Sequence, residues 1–275
     1  MKLTLSLVPV CCSLLLAGCM AENRVATADA IARQADLKPA DIPAGPFVLR
    51  GWKRIYDPHQ PVHLYIEGDG FAWVTPGQPS RDPTPLNPVA LKLAAADNAV
   101  NVAYLARPCQ YVPMGRNPAC NQSWWTDRRF APAAVAAMNN AISQVMRSAP
   151  GQPLILVGYS GGGAIAALVA ARRSDVQSLR TVAGNLDMDE VNRLHHASPM
   201  PLSLNAKSVA PALAGLPQIH YSGSADRIIL QRVTEGYVSA SHSPCVKWIS
   251  VPGMTHGGDW DRLWPTLLMQ PPDCE

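Results

Sequence analysis

The chain has 275 residues, enough for one large domain, and no shift in composition near the middle divides it. Hydrophobic residues make up 48% and charged residues 16%, which excludes a disordered chain and supplies a sizeable core. The net charge is only +3, and the Lys and Arg residues are scattered rather than clustered, so nucleic acid is not an expected partner.

In chain order, Lys2 is followed by an apolar run from Leu3 to Leu16. It is too short to span a bilayer and has the form of a signal peptide. The run ends in Leu16-Ala17-Gly18-Cys19, which resembles the lipobox of bacterial lipoproteins. The resemblance implies a signal peptide over 1–18, acylation of Cys19, and a mature chain held on the bacterial envelope by its lipid. Met20 stands where an aspartate often retains such proteins at the inner membrane, so the outer membrane, facing the periplasm, is the expected site. Residues 19–44, rich in Ala, Asp and Arg, read as a tether with a short helix around Thr27 to Gln34, and 45–275 as the folded domain.

Apolar runs with the character of strands then occur at Phe47–Leu49, Val62–Ile66, Val100–Leu105, Leu154–Val157, Leu179–Ala183, Gln218–Tyr221 and Val246–Val251. Between them, Pro132 to Ser148 places Val135, Met138, Ile142, Val145 and Met146 on one helical face, and Gly162 to Arg172 forms a second, almost wholly apolar helix. Strands alternating with helices imply a mostly parallel sheet covered on both faces. Lipidation and signal cleavage would leave Cys109, Cys120, Cys245 and Cys274. Four cysteines allow three connectivities. The preferred reading pairs Cys109 with Cys120 across one loop and Cys245 with Cys274, tying the C-terminal tail to a strand.

The motif Gly158-Tyr159-Ser160-Gly161-Gly162 follows an apolar strand and opens a helix. A serine on so sharp a strand-to-helix turn needs near side-chain-free neighbours two residues away on either side. Downstream lie Asp226, in Gly223-Ser224-Ala225-Asp226-Arg227-Ile228-Ile229, and His256, just past the last strand. The order nucleophile, acid, histidine, each at a strand end, resembles the α/β-hydrolase superfamily from about Phe47 onward. That resemblance implies Ser160 as nucleophile, His256 as base and Asp226 as the acid that orients it. Asp187, after the next strand, is the alternative acid. One oxyanion donor is expected at Gly161. The other is expected at Asp69 or Gly70, in a turn that carries Glu67-Gly68 where many relatives have His-Gly.

The long loop from Arg107 to Phe130 carries Trp124 and Trp125, which either line an acyl pocket or anchor the loop by packing. The roughly 30 residues between Asp187 and Gln218 allow a small lid or none. His195 and His196 are adjacent and would diverge on any regular element, so no metal site is expected, and no glycine pattern calls for a cofactor. His63 and His220 read as satisfied residues within strands, and His59 as exposed. The chemistry expected is hydrolysis of a small-molecule or acyl substrate. A second reading, favoured by the Glu67-Gly68 turn, is an inactive lipoprotein of this fold acting as a binding or assembly module.

Overall fold

Strands that are apolar on both faces have no side suited to water, and the central runs 62–66, 101–105 and 154–159 are covered on both faces. The computed structural model describes residues 23–274. The expected signal peptide and Cys19 lie outside the described residues. Helix α1 (residues 23–34) leads into β1 (Lys38–Ala44) and β2 (Phe47–Ile55), followed by β3 (Val62–Ile66) and a small hairpin of β4 (Trp73–Thr75) and β5 (Gln78–Pro79). Then come α2 (Val89–Ala95), β6 (Asn101–Leu105), α3 (Pro132–Met146), β7 (Leu154–Tyr159), α4 (Gly161–Ala170) and β8 (Val176–Val182). The chain closes with α5 (Met188–Leu194), β9 (Gln218–Gly223), α6 (Gln231–Ser241), β10 (Val246–Val251) and α7 (Trp260–Leu268).

Eight strands form one sheet in the order β1-β2-β6-β3-β7-β8-β9-β10. The β1–β2 and β2–β6 pairs are antiparallel, and all others are parallel. Side chains alternate between two cores. Leu64, Ile66, Leu154 and Leu156 face α3 and α4, while Tyr65, Val157, Tyr159 and Tyr221 face α1, α2 and α7. Every residue of α4 is buried, which is why it is built from Gly, Ala, Ile, Leu and Val. The tyrosines of the second core find partners for their hydroxyls: Tyr65 donates to Asp97 at 2.5 Å, and Tyr221 to the Leu267 carbonyl at 2.8 Å.

The expected tether is a correction. Over its described residues it belongs to the fold. Ala28 and Ala32 of α1 are buried, Asp29 accepts from the Trp52 indole at 2.9 Å, and β1 pairs with β2 from Lys38↔Lys53 to Ala44↔Phe47. Its Lys-Pro-Ala-Asp-Ile-Pro-Ala sequence lacks strand alternation because β1 is an edge strand, where prolines and charges block further pairing. The structure contains the disulfides Cys109–Cys120 and Cys245–Cys274. Removing residues 23–44 would bare the edge of β2 and the Trp52 side chain. A chain starting at residue 45 is therefore expected to aggregate, and urea unfolding with an unchanged midpoint would restore the tether reading.

Candidate active site

The site is assembled at the carboxyl ends of the parallel strands, where their connecting loops converge. β7 is followed at once by Ser160, whose backbone has φ 51° and ψ −122°, a strained conformation for a residue with a side chain. Two glycines permit the turn. A Cβ on Gly158 would lie 2.4 Å from the Gly162 carbonyl oxygen, and one on Gly162 would lie 2.2 Å from the Ile66 carbonyl oxygen. The serine backbone is tied on both sides: its N–H donates to the Val182 carbonyl at 3.0 Å, and its carbonyl accepts from Gly163 and Asn185, each at 2.9 Å.

Asp226 and His256 arrive from neighbouring loops. Gly223, at the end of β9, lets the two loops touch, since a Cβ there would sit 2.1 Å from the Met254 carbonyl oxygen. The Ala225 N–H bonds that same carbonyl at 3.0 Å. Asp226 is buried, and its Oδ1 accepts from the N–H groups of Ile228 at 2.8 Å and Ile229 at 2.9 Å, an Asx turn that aims Oδ2 at His256. His256 Nδ1 lies 2.8 Å from that Oδ2, and Nε2 lies 3.0 Å from Ser160 Oγ. A carboxylate only accepts, so Nδ1 carries the hydrogen and Nε2 is left to accept the serine proton. The loop is braced from below: the His256 carbonyl accepts from the Tyr159 hydroxyl at 3.1 Å and from the Trp260 indole at 3.0 Å. Neither brace was signalled by any motif.

Asp187 is not brought to His256. It caps α5, accepts from the Glu190 N–H at 3.3 Å, and holds Asn205 and Lys207, each at 2.9 Å. Burial raises its carboxyl, but the hydrogen bonds from Asn205 and Lys207 outweigh this and hold it below the usual carboxylate value.

The turn after β3 lies against the serine. The Gly68 N–H is taken by Glu67 Oε1 at 2.9 Å, whereas those of Asp69 and Gly70 have no hydrogen-bond partner among the described residues. The Asp69 carboxylate sits over Gly161, where a Cβ would meet Oδ1 at 2.1 Å. It is paired with Arg107 Nη1 and Arg129 Nε, each at 3.3 Å. The two arginines, 22 residues apart in sequence, carried no pattern that would have linked them to Asp69. Both stack on Phe130. Burial lowers Arg107 to about 10, with Asp69 working in the opposite direction.

A cavity of about 380 Å³ opens over Ser160 and His256, lined also by Asp69, Trp73, Leu86 and Ile228. Trp124 and Trp125 are packing anchors: Trp124 meets Phe47 edge-on at 5.0 Å, Trp125 is buried, and neither lines this cavity. The aromatic wall comes instead from the β4–β5 hairpin, whose short strands have no readable periodicity. A larger cavity, about 760 Å³, lies at the amino ends of the strands beside His63, Asp97 and Arg180. There His63 bonds Asp97 at 2.6 Å, and Arg180 Nη2 bonds the Gln270 carbonyl at 2.9 Å. His220 is buried between Thr181 and Gln218 and pushed down to about 3 by burial, a structural residue. His195 bonds the Ile228 carbonyl at 2.7 Å.

No family model matches the chain, and no curated protein matches its sequence. Solved structures do match it. An esterase from Pyrococcus furiosus is 12% identical, over 84% of this chain and 88% of that one, with a TM-score of 0.58. The esterase domain of a Rhodothermus marinus protein is 15% identical, over 84% and 95%, with a TM-score of 0.55. A Xanthomonas campestris α/β serine hydrolase described as lacking a lid is 11% identical, over 85% and 94%, with a TM-score of 0.55. The chain has the α/β-hydrolase fold, and at these identities the likeness is one of fold.

Glu67 yields a test of the electrostatics beside the serine. It is buried without a cation, its acceptor oxygens meeting only neutral donors, the Tyr104 hydroxyl and the N–H groups of Gly68, Ala90 and Leu91, and burial pushes its carboxyl up to about 7. A folded value above the unfolded one means that stability is lost as pH rises from about 4.5 to about 7, by about 3 kcal/mol in all. Glu67→Gln is expected to flatten that fall in urea unfolding measured across this range. A variant with the same pH slope as wild type would contradict the assignment.

Proposed function

We propose that the chain is a serine hydrolase that cleaves carboxylic esters through an acyl-enzyme, and that it works on the bacterial envelope, held there by lipid on Cys19. The observation that carries the catalytic reading is the unbroken hydrogen-bond chain Ser160–His256–Asp226, at 3.0 and 2.8 Å. Ser160 Oγ attacks the ester carbonyl while His256 Nε2 takes its proton. The imidazolium that forms is stabilised by the Asp226 carboxylate. The C–O bond of the ester then breaks, and the alcohol leaves with the proton held by His256. Water, deprotonated by the same nitrogen, attacks the acyl-serine, releasing the carboxylic acid and restoring the serine hydroxyl.

The oxyanion is assigned to the N–H of Gly161 and to that of Asp69 or Gly70, the two groups in the turn that have no partner among the described residues. The Asp69 carboxylate would oppose an oxyanion, and Arg107 and Arg129 offset its charge. Fold neighbours named as esterases favour an ester over an amide or thioester. The envelope reading is supported by the Leu16-Ala17-Gly18-Cys19 sequence and by two disulfides, which persist in oxidising compartments.

A fluorophosphonate probe is expected to add one adduct to wild type, located at Ser160 by peptide mass, and none to Ser160→Ala. A p-nitrophenyl ester series then reads the acyl length preferred. Folded wild-type protein that takes no label and turns over no ester would point instead to the binding module.

A further inference from the structure

The rim of the catalytic cavity is apolar and exposed. Trp73 is 40% exposed, its neighbour Val74 51%, Leu86 58% and Ile228 51%. Large apolar side chains gathered around one opening mark a contact surface rather than ordinary scatter.

The start of the described chain lies at this same rim. Arg24 donates to the carbonyls of Asp82 at 3.3 Å and Thr84 at 3.1 Å, and its guanidinium sits 5.3 Å from the centre of the Phe71 ring. Phe71 lines the cavity, and it precedes Trp73 by two residues, as Thr84 precedes Leu86. Arg24 is thus fastened to the two segments that bear Trp73, Val74 and Leu86. It lies only five positions beyond Cys19, a span of at most about 18 Å when fully extended. A chain held in a membrane by lipid on Cys19 cannot carry this rim far from the lipid surface.

We infer that the mouth of the site rests on the bilayer, with Trp73, Val74, Leu86 and Ile228 set into the headgroup region, and that the substrate is an acyl ester of a membrane lipid whose chain enters directly from the bilayer. This rests on the hydrolase and envelope reading above and adds to it the source and class of substrate. An indole at such a rim suits the boundary between headgroups and acyl chains, where tryptophan is enriched. A cavity of about 380 Å³ is at the small end of ligand pockets and suits one chain. Cleavage of the ester gives a free fatty acid and the deacylated lipid, with water as the only co-reactant.

The test uses the full mature chain in vesicles of phosphatidylethanolamine and phosphatidylglycerol with brominated acyl chains. In a Ser160→Ala background, bromine quenching of tryptophan fluorescence should fall to roughly half or less on Trp73→Phe, since the interfacial indole is removed. Equal quenching in the two proteins would overturn the docking. In the active chain, Val74→Glu should lower the ratio of fatty acid released from vesicles to soluble p-nitrophenyl ester hydrolysed by roughly tenfold. An unchanged ratio, or soluble-ester hydrolysis with no release from vesicles, would overturn the substrate class while leaving the hydrolase reading intact. Docking through Trp73 by a chain that hydrolyses no ester would sink the hydrolase reading and this substrate with it, leaving the surface alone.

Discussion

The imidazole of His256 is held between two partners that arrive on different loops, and the rest of the site depends on keeping those loops in contact. Ser160 stands on the turn between β7 and α4, Asp226 follows β9 and His256 follows β10. Parallel pairing of β9 with β10 brings the second and third together, and the missing side chain at Gly223 closes the last gap. Tyr159 and Trp260 then pin the histidine backbone from beneath. A hydrogen-bond chain with each end fixed in this way needs little reorganisation before a proton moves, which is the physical meaning of preorganisation.

The charges around the serine obey a second constraint. Two acidic residues, Glu67 and Asp69, stand in the turn expected to receive an oxyanion, and each is handled differently. Asp69 is neutralised by Arg107 and Arg129, which belong to the loop carrying the Cys109–Cys120 disulfide. Glu67 is buried without a cation, and its carboxyl sits near the point of losing its charge at neutral pH. The loop from Arg107 to Phe130 therefore reaches the catalytic turn through these charges and through Gln110, which donates to the Gly68 carbonyl at 3.0 Å, not through its tryptophans.

The parallel core was legible because its strands are continuous apolar runs: Val62–Ile66 and Val246–Val251 have the same ends in sequence and structure. The serine turn was legible because its glycines are imposed by backbone contacts closer than any Cβ allows. Edge strand β1 escaped notice because an edge rewards prolines and charges, the reverse of a strand signal. Helix α2 is seven residues long, too few for a period to declare itself. The Asp69–Arg107–Arg129 cluster and the Trp73 hairpin were invisible for a different reason. Each depends on segments that only the tertiary fold brings to one place, and neither carries a local pattern.

Asp226, and not Asp187, is placed to orient the histidine. In Asp226→Asn the remaining carbonyl oxygen could still accept from Ile228 and Ile229, preserving the turn, while an amide facing Nδ1 would favour the wrong tautomer. Steady-state hydrolysis of a p-nitrophenyl ester by Asp226→Asn and Asp187→Asn decides it. The account predicts a fall in kcat of roughly 10⁴-fold for the first and near-normal turnover for the second. The reverse pattern, or near-normal turnover by Asp226→Asn, would contradict it.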